Sequence, residues 1–216
     1  MAVSFANAKS IVIPEGNVKQ IADSLGRVIW KKPGGYQDLT YVMYPASSPN
    51  KLDTGVRGID GNWTFDGYMN SYSTSGNVSA LGVDGTTGWY VGPNSNGWWG
   101  GGGNTSGAYV RDATVTVRRT VSNIRFVKDG SYYHVKGSVM GGSFDRSSGS
   151  TKLNTGTFKV PVGTPARNIF IFSLRCVNGD NVLFDGVPKK DTSTGYCGIF
   201  DNVSGTFFGF PDWTGA

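Results

Sequence analysis

Apolar residues in this chain come in short runs separated by Gly, Ser, Asn and Asp, and the runs are too short for amphipathic helices. In Thr114-Val115-Thr116-Val117-Arg118 the alternation is explicit: the valines share one face and the threonines the other, as in a half-buried strand. The pattern predicts strands over Leu39 to Tyr44, Trp63 to Met69, Val78 to Val83, Ala113 to Arg119, Ile124 to Lys128, Tyr132 to Lys136, Asn168 to Cys176, Asn181 to Val187, Gly198 to Asp201 and Gly205 to Phe208. Asp129-Gly130 reads as a hairpin turn between Arg125-Phe126-Val127 and Tyr132-Tyr133-His134. Short strands at regular spacing with such turns argue for an all-β fold, a sandwich of two antiparallel sheets. Gly137 to Gly156 is Ser/Gly-rich with few apolar residues and is expected to be a long loop.

A small unit precedes the sandwich. Ser10 to Ile13 reads as a strand, and Asn17 to Ala22 and Arg27 to Lys31 flank the turn signal Asp23-Ser24-Leu25-Gly26. Val18, Ile21, Ala22 and Leu25 also fit helical spacing. The strand-like Val28-Ile29-Trp30 favours a hairpin. Pro33-Gly34-Gly35 marks a break, so residues 1–33 are taken as a separate N-terminal β-hairpin segment and 34–216 as the sandwich domain.

Composition sharpens this. Thirty-three glycines without a period of three, together with 13% aromatic residues, suit many tight turns around a packed core rather than low-complexity disorder. The net charge of +5 comes from scattered pairs such as Lys31-Lys32, Arg118-Arg119 and Lys189-Lys190, with no nucleic-acid motif, and reads as a solubility device. Cys176 and Cys197 fall in different predicted strands; they form one disulfide if those strands are neighbours, or remain two buried thiols. The first residues show no basic start followed by an apolar core, and no apolar stretch reaches the length of a membrane span, so neither a signal peptide nor a membrane partner is expected.

The titratable inventory argues against catalysis. Glycosidases on such sandwiches set two carboxylates at alternate positions of one strand, where both face the sugar bond. This chain has one glutamate, Glu15, outside the sandwich, and no i, i+2 aspartate pair within a predicted strand. The only histidine, His134, sits on a predicted strand beside Tyr132 and Tyr133, where an ordinary structural histidine is the default. Calcium is common in this structural class, and Asp60, Asp66 and Asp84 lie in loop-rich sequence, but without the dense acidic spacing of a dedicated site, so no cofactor is expected. The binding candidates are aromatic: Trp89, Tyr90, Trp98 and Trp99, with Asn94 and Asn96 nearby, have the composition of a sugar site. Core packing competes for the same rings. If Trp98 and Trp99 lie on a strand they face opposite ways, so the core can take only one. The four glycines after them would equally allow a loop.

Several stretches in order carry a resemblance. Tyr41-Val42-Met43-Tyr44 followed by Leu52-Asp53-Thr54-Gly55-Val56 is similar to an entry strand of the form Y-I-x-S … Y-I-D-T-G. Ile169 to Arg175, Val182-Leu183-Phe184-Asp185-Gly186-Val187-Pro188, and Gly195 to Phe208 follow a closing pattern F-x-I-x … L-V-R-D-F-V-P … G-x-Y-D-x-V-x-G-x-F-Y. From Tyr36 to Phe210 the chain resembles the LamG-like, concanavalin A-like jelly-roll domains of phage structural proteins and bacterial surface proteins. Asn17 to Trp30 resembles a short leader found ahead of such domains in phage genes. The resemblance implies a jelly roll and a non-catalytic virion protein, in the tail or decorating the capsid. Residues 1–33 would hold other virion proteins within an oligomeric assembly, and the sandwich would bind a host-surface glycan. A free-standing carbohydrate-binding module or lectin is the alternative, with a glycan-active enzyme behind it. Fold motifs of this kind name a scaffold, not a ligand.

Overall fold

A computed structural model describes residues 20–22, 28–31, 35–46, 48–69, 81–85, 88–94, 97–102, 108–111, 117–129, 132–145, 153–162 and 168–216. Among the described residues there are nineteen strands and no helix. In chain order they are β1 Gln20–Ala22, β2 Val28–Lys31, β3 Tyr36–Asp38, β4 Val42–Tyr44, β5 Leu52–Arg57, β6 Asn62–Met69, β7 Leu81–Val83, β8 Trp89–Asn94, β9 Gly97–Gly102 and β10 Ala108–Arg111. They continue as β11 Arg119–Asp129, β12 Tyr132–Val139, β13 Gly142–Asp145, β14 Thr157–Val160, β15 Ile169–Asn178, β16 Asn181–Asp191, β17 Cys197–Asp201, β18 Thr206–Phe210 and β19 Thr214–Gly215.

The chain is an antiparallel two-sheet β-sandwich. The large sheet runs β13-β12-β11-β6-β15-β16-β17-β18, with β3 added on β16 and β4 lying between β15 and β19. The smaller runs β10-β9-β8-β7-β14-β5. β15 shares one edge between two partners: β16 holds Leu174 to Asn178, and β4 takes over at Ile169 to Ile171. The N-terminal strands β1 and β2 pair with each other as a hairpin, Ile21 opposite Trp30, and join neither large sheet. That resolves the helix–hairpin choice for this segment. The strand expected over Ser10 to Ile13, the turn at Asp23 to Gly26, and Pro33-Gly34 of the expected boundary lie outside the described residues.

Alternation explains how the core forms. On β6, Trp63, Phe65 and Met69 are buried while Asn62, Thr64, Asp66 and Tyr68 are partly exposed. Rings from opposite sheets meet in the interior. Trp63 of the large sheet stacks on Phe158 of the small one at 3.8 Å and 9° between planes. Trp89 of the small sheet lies parallel to Phe126 of the large one, at 5.8 Å and 8°. Each aromatic side chain in such a core buries about 150–250 Å².

One expectation changes. Gly137 to Gly156 is not one long loop: Gly137 to Val139 complete β12, Met140-Gly141 turn the chain, and β13 follows with Val139 opposite Gly142. Met140 and Gly141 both have positive φ, 52° and 76°, the backbone of a two-residue type I′ hairpin. Composition hid it because β13 places only Phe144 in the core. Ile124 to Lys128 lies within a longer strand, β11, which runs from Arg119 to Asp129; of the strand expected over Ala113 to Arg119, residues 113–116 lie outside the described residues and Val117 and Arg118 precede β11. Of the two states left open for Cys176 and Cys197, the structure has the buried free thiols, since β16 stands between their strands. Burial, with the charge of Asp60 adding to it, pushes the Cys176 thiol up to about 12.

Two turns share one construction. In Asp191-Thr192-Ser193-Thr194-Gly195 and Asp201-Asn202-Val203-Ser204-Gly205, the glycine has positive φ and its N–H donates to the aspartate carbonyl, at 2.7 and 2.9 Å. Each buried carboxylate accepts from backbone N–H groups and a serine hydroxyl within its own turn: Ser193 Oγ at 2.7 Å and Ser204 Oγ at 2.6 Å. Asp201 also accepts from the Asp185 N–H at 2.8 Å, which ties the turn to β16.

Candidate functional site

The outward face of the large sheet carries rings where an antiparallel sheet facing water normally carries polar residues. On β15, Ile169 and Ile171 enter the core, and Phe170 and Phe172 point the other way, half-buried. Register sets Phe170 opposite Tyr68 of β6 on one side and Met43 of β4 on the other. The Tyr68 and Phe170 rings stack at 4.4 Å and 4°. Tyr41 completes the group at 5.4 Å from Phe170 and 5.6 Å from Phe172.

Arg118 joins this patch to a polar rim. Its guanidinium lies 3.9 Å above the centre of the Phe172 ring and makes a two-point contact with Asp66, Nε to Oδ1 at 2.9 Å and Nη2 to Oδ2 at 2.5 Å. Hydrogen bonding to Asp66 raises the Arg118 pKa above its ordinary value. A bidentate fork held over a ring is a geometry only arginine provides. Further along the same face, Tyr36, Phe200 and Phe207 form a second group, with ring centres 5.0 Å apart on either side of Tyr36. Lys189 lies 5.5 Å from the Phe200 ring and is paired with Asp38 at 2.8 Å. Rings beside fixed hydrogen-bonding groups are the ingredients of a site that takes an amphipathic ligand.

The residues expected to form a site are placed as follows. Trp89 and Trp98 have no exposed surface: Trp89 lies against Phe126 and Phe158, and Trp98 is 6.2 Å from Phe65. Both therefore belong to the core, because the inward face of the small sheet claims them, and neither offers a face to a ligand. Tyr90 is half-buried on β8, and burial raises its pKa. Trp98 and Trp99 do lie on a strand, β9, with Trp99 opposite Gly92 and Tyr109. Asn94 pairs with Gly97 where β8 turns into β9. The side chains of Asn94 and Trp99, and the whole of Asn96, lie outside the described residues.

The three aspartates weighed for calcium are each committed elsewhere. Asp60 pairs with Arg57 at 2.7 Å, Asp66 with Arg118, and Asp84 with Lys159 at 3.5 Å. Asp66 stands on β6, not in a loop. Among the described residues no three potential ligands come together. His134 is buried on β12, with Nε2 3.2 Å from Asp145 Oδ1.

The ring patch escaped the sequence reading, although one signal was present. In Ile169-Phe170-Ile171-Phe172 both phases of the strand are apolar, and Tyr68 occupies the phase opposite to Trp63, Phe65 and Met69. Aromatic residues in the outward phase mark a surface patch. Compared with family models, with curated proteins and with solved structures, the chain matches none.

Proposed function

We propose that the chain is a non-catalytic phage virion protein whose sandwich binds a host-surface carbohydrate on the outward face of its large sheet. The observation that carries this reading is the patch of Tyr41, Tyr68, Phe170 and Phe172, half-buried rather than covered, with Arg118 and Asp66 fixed at its rim. A sugar offers C–H faces to rings and hydroxyl groups to an arginine–carboxylate pair, so both halves of the patch have a use. The LamG-like resemblance of the closing strands supports a virion setting, and residues 1–33 would then attach the chain to its assembly.

The test is a glycan panel and a host-cell adsorption assay with the full chain and two variants, Tyr68→Ser and Phe172→Ala, each checked for a native melt. Retention of a bound glycan by wild type, with loss of about tenfold or more in affinity in both variants, is the expected result. Equal binding by wild type and variants moves the function off this ring patch.

A further inference from the structure

A groove of about 240 Å³ opens on β11, β12 and β13, lined by Asn123, Arg125, Lys136, Ser138, Ser143 and Asp145. It exists because β11 breaks phase. Between Ser122 and Arg125 the strand spends three steps while β12 spends two, from Ser138 to Lys136. On its other side it spends three steps from Val121 to Ile124 while β6 spends two, from Phe65 to Trp63. One extra residue is thus inserted against both neighbours, a β-bulge. Asn123 carries it, with φ of 53°, a left-handed conformation that costs an L-residue energy and that asparagine tolerates better than most.

The bulge decides which way Arg125 points. Val121, Ile124 and Phe126 are buried, and Asn123 and Arg125 are exposed. Strict alternation from Val121 would send residues 123 and 125 into the core. The inserted residue instead turns Asn123 and Arg125 outward together, into the groove. Strain stored in a central strand beside a cavity is a reason to look for a ligand there.

The charges in the groove are not equivalent. Lys136 Nζ holds Asp145 Oδ2 at 2.7 Å, so Asp145 is already paired, and His134 Nε2 lies 3.2 Å from its other oxygen. Among the described residues no carboxylate pairs with Arg125. Its guanidinium is the cation with a fork to spend, flanked by the Asn123 amide and the hydroxyls of Ser138 and Ser143. A guanidinium fork selects a planar carboxylate, and the neighbouring amide and hydroxyls suit ring hydroxyl groups. The volume is below the range of drug-sized pockets and suits one sugar residue.

We infer that this groove is a subsite for a carboxylate-bearing sugar, a uronate or sialate residue, with Arg125 holding the carboxylate and Asn123 a hydroxyl group. The inference rests on the carbohydrate reading of this face but uses residues separate from its ring patch. It is tested by NMR titration of the full chain with sodium glucuronate, galacturonate and N-acetylneuraminate, with methyl glucuronate as the uncharged match and sodium sulfate as a competitor. At least one acid is expected to bind about tenfold more tightly than the ester, the worth of a charge-assisted pair. Arg125→Gln should erase that preference. Asn123→Gly, which keeps the left-handed backbone, should weaken binding without lowering thermal stability. Binding of none of the three acids, equal binding of acid and ester, or a preference that survives Arg125→Gln overturns the inference. Competition by sulfate as strong as by the best acid overturns its sugar component. The Tyr68→Ser variant separates the two readings. If it keeps the acid preference the groove stands whatever becomes of the ring patch, and if it loses that preference the groove is not an independent subsite.

Discussion

Gly100 is the sharpest test of how the two sheets are fitted together. A Cβ built there stands 2.5 Å from both Cδ2 and Cε2 of Phe144 and 3.3 Å from Val135 Cγ1. The Phe144 ring is fully buried and comes from the opposite sheet. It cannot retreat, because on its own sheet it lies over Gly137, where a Cβ would be 2.1 Å from Cζ. The ring fills a slot between two glycines on facing sheets. Gly100→Ala must therefore push the sheets apart or drive Phe144 off its rotamer, an overpacking cost of about 1–3 kcal/mol. At about 2 kcal/mol the melting midpoint of a chain this long falls by about 4–8 °C. Gly35→Ala is the control, since an added Cβ meets nothing within 4 Å there. Phe144→Leu in the Gly100→Ala background supplies a second arm. Each single change is costly, and the pair should cost less than the sum by about 1 kcal/mol, as expected for residues competing for one space. A Gly100→Ala protein that melts within about 1 °C of wild type would refute the slot.

Two further outcomes follow from the turns. Met140 holds φ of 52° in the two-residue turn between β12 and β13, so Met140→Asn should raise stability by about 0.5–1 kcal/mol in denaturant titration; a loss would mean that the Arg119 Nε contact to its sulfur, at 2.9 Å, outweighs the backbone strain. Burial opposes ionisation of Asp201, but hydrogen bonds from Asp185, Val203 and Ser204 outweigh it and leave the carboxyl pKa below its ordinary value. The stability it contributes is present above the unfolded pKa of about 3.9 and is lost as pH falls through the lower folded value, so the gap between wild type and Asp201→Asn should be full at neutral pH and close on acidification, and a gap independent of pH would count against this linkage.

What could be read ahead of the structure follows from where apolar side chains are needed. β6, β15 and β16 announce themselves because their inward positions hold Trp63, Phe65, Ile169, Ile171 and Phe184. β9 was ambiguous for the opposite reason. Gly100 faces a ring from the other sheet, so the space an inward side chain would fill is already taken, and glycine erases the alternation on which a strand is recognised. β13 vanished into a Ser/Gly-rich stretch because it contributes a single core residue. The first half of β11 went unread because its bulge resets the phase between Val121 and Ile124, and no periodic pattern survives an odd insertion. The candidate rings went astray differently. Trp89 and Trp98 stood out by size and by nearby asparagines, yet size is what the core selects. Tyr41, Tyr68, Phe170 and Phe172 are scattered over some 130 positions and meet only through strand register, which the sequence does not display.

The paired stacks in the interior have a mechanical consequence. In one, the tryptophan belongs to the large sheet and the phenylalanine to the small; in the other the ownership is reversed. The two sheets are thus pegged to each other at two points with opposite polarity. A slip of one residue along a strand moves one sheet by about 3.3 Å, enough to unstack both pairs together. Sliding therefore has no intermediate stop at which one peg holds and the other has already re-seated. Under a shearing load, the sandwich should hold its alignment until both pegs fail in a single event.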